Sequence, residues 1–137
     1  VLSVINYKKE MMTGSKKTEQ FLNENITWKR LLDFLIQENS FLKTRLSEVV
    51  DKETDKSLIA EAEHFQTEFI LKDEYIHDIE HDIKEQEKTL KATLTQKTVP
   101  DYKTCKKQDK LRNEMTYLEK EFLQLKTQFN KYLLSLV

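Results

Sequence analysis

From Leu111 onward the apolar residues fall at alternating spacings of four and three: Leu111, Met115, Leu118, Phe122, Leu125, Phe129, Tyr132 and Leu136. That spacing keeps one face of a helix turned toward a neighbouring helix, and no strand can use it, because strand side chains alternate with a period of two. The same spacing occurs twice more. One run is Phe21, Asn25, Trp28, Leu32, Leu35, Asn39, Leu42, Leu46 and Val49, with Asn25 and Asn39 at a positions. The other is Leu58, Ala62, Phe65, Phe69, Lys72, Ile76, Ile79, Ile83, Gln86 and Leu90.

The runs are out of register with one another, so the chain must turn between them. The first break falls within Asp51 to Ser57, where Asp55 or Ser57 is suited to cap a helix. Pro100 supplies the second break. It is suited to a first helical turn, with Asp101 well placed against the helix dipole. The expected fold is therefore all-α: an elongated antiparallel three-helix bundle or coiled coil with short connections, its helices at about 18–51, 57–97 and 101–135. Residues 1–17 show no sustained apolar period and are expected as a tail or short accessory helix, leaving 18–137 as one helical domain.

Composition enters as an exclusion. The chain has one glycine and one proline in 137 residues. Dinucleotide fingerprints, phosphate-binding loops, nucleophile elbows and serial β-hairpins all need glycine, so these function classes fall away. The formal net charge is -1. It is unevenly spread: residues 53–97 carry a net -6 and residues 98–137 a net +3, a distribution suited to pairing between neighbouring helices. With no strong net charge and no long apolar run, neither nucleic acid nor membrane is an expected partner. The opening Val1 to Ile5 is too short for a secretory h-region, and there is one cysteine, so a reducing cytoplasm is the expected compartment.

The candidate chemistry lies in the second helix. Glu61 with His64, and Glu74 with His77, form E-x-x-H pairs of the kind di-metal bundles use, and His77 to His81 reads H-x-x-E-H. A di-metal core needs such pairs on two helices, all pointing inward. Here both lie on one helix, and all three histidines sit about 100° or more from the apolar stripe. A solvated face is the preferred reading, and a metal-binding helix or metal-dependent enzyme is the alternative. Cys105 lies among lysines near the start of the third helix but has no nearby histidine to act as base. The basic run of Lys103, Lys106, Lys107, Lys110 and Arg112 is interrupted by Asp109 and reads as a solvated face meeting the acidic helix. No catalytic residue, metal or cofactor is expected.

Association carries the stronger signal. Phe34 and Phe41 fall at c positions, harder to bury within a bundle than e and g residues, and Ile59 and Ile70 lie off the seam of the second helix; an interface is preferred over internal packing. Asn39 would bury an amide, either to specify association between chains or to meet another helix of the same chain. The expected function is a non-enzymatic scaffold or protein-interaction module that forms a homodimer, with Phe34, Phe41, Asn39, Ile59 and Ile70 as its surface.

Overall fold

A computed structural model describes the backbone of residues 2–137 and the side chains of residues 14–137. It is a three-helix bundle: α1 Leu2–Val50, α2 Lys56–Thr95 and α3 Tyr102–Ser135, with no strand among the described residues. Inter-helix bonds give the directions. Lys29 on α1 pairs with Glu87 on α2, while Asn39 further along α1 bonds Asp73 earlier on α2, so these two helices are antiparallel. Gln86 and Gln108, and the rings of Phe69 and Phe129, give the same sense for α2 and α3. Arg112 with Glu24 and Lys126 with Glu38 make α1 and α3 parallel.

The segment expected as a tail or short accessory helix is the first part of α1. Residues 2–17 continue into α1 because nothing in them stops a helix and the spacing of four and three persists through Gly14 and Thr18, both buried. Thr18 Oγ1 donates to the Gly14 carbonyl at 3.0 Å. Gly14 has a packing reason as well: a Cβ there would overlap the Val99 side chain, so only glycine lets the α2–α3 connection lie this close to α1.

The connections close with side-chain caps. Asp55, of the two expected candidates, caps α2, its carboxylate accepting from the backbone N–H groups of Ser57 at 2.8 Å and Leu58 at 3.2 Å. α2 ends where Thr98 N–H donates to the Thr93 carbonyl and Lys97 N–H to that of Leu94, with Lys97 in the left-handed region at φ 55°. Pro100 is buried just before the cap, two positions ahead of the first helical residue and so outside the first turn expected for it. Asp101 itself caps α3, accepting from Thr104 N–H at 2.7 Å.

Contacts gather into two compact units, each drawing on all three helices: Val1–Leu31 with Ile79–Glu114, and Leu32–Asp78 with Met115–Val137. In the first unit Phe21, Trp28, Ile79, Ile83 and Leu111 are buried beside a row of polar side chains. In the second, Leu32, Leu35, Leu42, Leu46, Ile76, Leu118, Phe122 and Leu125 are buried. Phe69 and Phe129, both fully buried, stand edge to face at 5.2 Å, which adds about 0.5–1.5 kcal/mol to their burial. Phe65 and Tyr132 complete that cluster, and the Tyr132 hydroxyl donates to the Leu58 carbonyl at 2.8 Å.

Candidate interaction surface

A helix in a three-helix bundle buries the stripe that meets its two neighbours and leaves its c and f positions outside. Phe34 and Phe41 obey that rule: they are 58% and 65% exposed. Both belong to the second unit. They lie four residues before and three after Glu38, hence one helical turn from it on either side. Glu38 is bridged to Lys126 of α3. Leu123, three residues before Lys126 and 65% exposed, adds a third apolar side chain beside the same ion pair. Sequence reasoning missed Leu123, although its place next to Phe122 of the third run carried the signal.

Ile59 and Ile70 belong to a different face of the same unit. Ile59 is half-buried and Ile70 is exposed, and together with Leu46, Val50 and Ala62 they line a groove of about 290 Å³ between α1 and α2. Ala62 explains the groove: it is the smallest residue in the α2 seam and leaves unfilled the space that its neighbours Leu58 and Phe65 fill elsewhere. Lys43, bridged to Asp73, closes one rim, and Asp51 and Glu63 stand on the others. The apolar residues expected to form one surface are thus divided between two.

Asn39, grouped with that surface but expected to bury its amide, is wholly buried. An a position faces the core, and here its Nδ2 donates to the Phe69 carbonyl at 2.9 Å and to Asp73 Oδ1 at 2.6 Å, both on α2 of the same chain. Its Oδ1 has no partner.

The residues weighed for chemistry lie apart from these surfaces. Glu61, His64, Glu74, His77 and His81 are all exposed along α2. No three His, Cys, Asp or Glu side chains among the described residues converge to hold a metal ion. The Cys105 thiol is half-buried and lies 3.9 Å from the Pro100 carbonyl. The basic run is partly occupied. Lys107 reaches Asp82 of α2 at 3.6 Å, Lys106 lies over the Tyr102 ring, and Arg112 grips Glu24 of α1 through two nitrogens at 2.7 Å each. Burial pushes the Glu24 carboxyl up, but hydrogen bonds from Arg112 and Gln108 outweigh that and hold it below the usual carboxylate range. No helix is long and apolar enough to cross a membrane among the described residues.

No family model matches the chain, and no curated protein or solved structure is similar to it.

Proposed function

We propose that this chain is a non-enzymatic helical scaffold that works by binding protein, and that the protein it binds first is a second copy of itself. The observation that carries the reading is the pair Phe34 and Phe41, more than half exposed on a helix whose other large apolar residues, Ile26 apart, are buried or half-buried among the described side chains. Exposed apolar area held next to an ion pair has the makeup of an interface, with an apolar centre and a charged rim. Coiled-coil packing of the heptad seams suits the role, since it holds the outward c positions at fixed spacing. A single cysteine and the absence of any membrane-spanning helix among the described residues suit a reducing cytoplasm. The metal alternative has less behind it, because its histidines stand in solvent without a converging third ligand.

Light scattering across a wide concentration range tests the proposal. The expected result is a dimer that becomes a monomer in Phe34→Ser/Phe41→Ser with helicity retained. A monomer at every concentration, or a dimer that the double substitution leaves intact, overturns it.

A further inference from the structure

We propose that the first unit is an opening half, whose three helical segments separate locally while the second unit stays folded. The reason is the material in its seam. Six polar side chains are buried among the described residues, and five of them, Thr18, Asn25, Gln86, Thr104 and Gln108, belong to the first unit. The second unit has only Asn39, and its share of the α3 seam is apolar at every buried position from Met115 to Tyr132.

The amides of the first unit form one connected layer across all three helices. Gln108 Nε2 faces three acceptors, the Phe21 carbonyl at 3.2 Å, Glu24 Oε1 at 3.1 Å and Asn25 Oδ1 at 3.0 Å. It has two hydrogens, so one bond must be shared. Gln86 Nε2 donates to the Thr104 carbonyl at 2.9 Å and to Gln108 Oε1 at 3.1 Å. Asn25 Nδ2 is buried and has no partner. A layer of this kind exchanges one set of hydrogen bonds for another when water enters, and the orphaned Asn25 amide gains a bond it lacks in the closed state. Opening the second unit offers less compensation: only the orphaned Asn39 Oδ1 would gain a bond there, against the uncovering of Phe65, Phe69 and Phe129. Local opening of a native protein follows such differences in the makeup of its parts.

The chain carries its own reporter. Trp28 is its one tryptophan, is 8% exposed and lies in the first unit. Urea titration of the full chain is followed by Trp28 emission and by far-UV circular dichroism. The expected result is a Trp28 midpoint about 1 M below that of the final loss of helicity. Coincident single transitions overturn the proposal. Titration at several protein concentrations separates this from self-association, which moves midpoints with concentration. The variant Asn25→Leu/Gln86→Leu/Gln108→Leu replaces the whole layer with apolar side chains. It is expected to raise the Trp28 midpoint alone, and an unmoved or lowered midpoint in a folded variant counts against the proposal. Hydrogen exchange on the unaltered protein gives an independent reading. Mid-helix amides of 18–31 and 79–90 should exchange at least about tenfold faster than those of 35–46 and 62–76, and equal protection overturns the idea.

Discussion

At the scale of single residues, the least replaceable side chains are small or polar. Gly14 is in a helix, where alanine ordinarily gains about 1 kcal/mol. Here the methyl group would collide with Val99. Gly14→Ala is therefore expected to lower the thermal midpoint, with part of the loss recovered in Gly14→Ala/Val99→Ala, as calorimetry of the double-mutant cycle checks. Glu24 ties α1 to α3 through Arg112 and Gln108. Its depressed carboxyl contributes stability that is present at neutral pH and lost as pH falls through the lowered value. Glu24→Gln should cost about 1 kcal/mol near neutrality and reduce the fall in stability between about pH 5 and pH 2, as thermal midpoints across that range will show. These residues also mark the limit of reading side chains from sequence. Leu32, Ile76, Leu118 and Phe129 could be assigned to the core because apolar residues reveal a period. Thr18, Thr104 and Gln108 occupy the same seam, but a polar residue adds nothing to a hydrophobic pattern, and only extending the spacing through it exposes its place.

At the scale of helices, ends were harder to place than interiors. Helix interiors are written in the repeat, whereas ends depend on one or two caps whose competition sequence does not rank. Asp55 and Ser57 are equal candidates in sequence, and it is the Asp55 carboxylate that accepts from the backbone N–H groups of both Ser57 and Leu58. The start of α1 lay hidden because Gly14 to Lys17 resembled a break, while Val4, Tyr7 and Met11 continue the spacing of Gly14 and Thr18 at the sequence level. The end of α2 offers a direct experiment. Lys97 adopts a backbone conformation that favours glycine, so Lys97→Gly should stabilise the chain by roughly 1 kcal/mol, measured as a higher urea midpoint. A lower midpoint would mean that the Lys97 side chain contributes more than its backbone costs.

At the scale of the whole molecule, the three-helix architecture was legible from the repeats, but the grouping of its apolar surface was not. Phe34 and Ile70 are equally off-seam in sequence, and only the pairing of Glu38 with Lys126 and the groove beside Ala62 assign them to different faces. The pH response also belongs to the whole chain. Glu24, Asp55, Glu87 and Asp101 are all held below the usual carboxylate range by hydrogen bonds in the folded state, so the thermal midpoint should fall as pH drops below about 5. Burial, then Glu53 and Glu61, push the Tyr132 phenol up. The folded state therefore favours the neutral phenol, and stability should decline as pH rises above about 10, less so in Tyr132→Phe. A constant midpoint from pH 5 to pH 2 would exclude the acid part of this account. The bond from Tyr132 to Leu58 joins residues 74 positions apart. Translation delivers Phe65 and Phe69 well before Phe129 and Tyr132, so the nascent chain holds two unshielded aromatic rings until almost all of α3 has left the ribosome. The aromatic cluster of the second unit therefore closes only after α3 has been made, and a ribosome stalled within α3 would present the segment around Phe65 and Phe69 to chaperones.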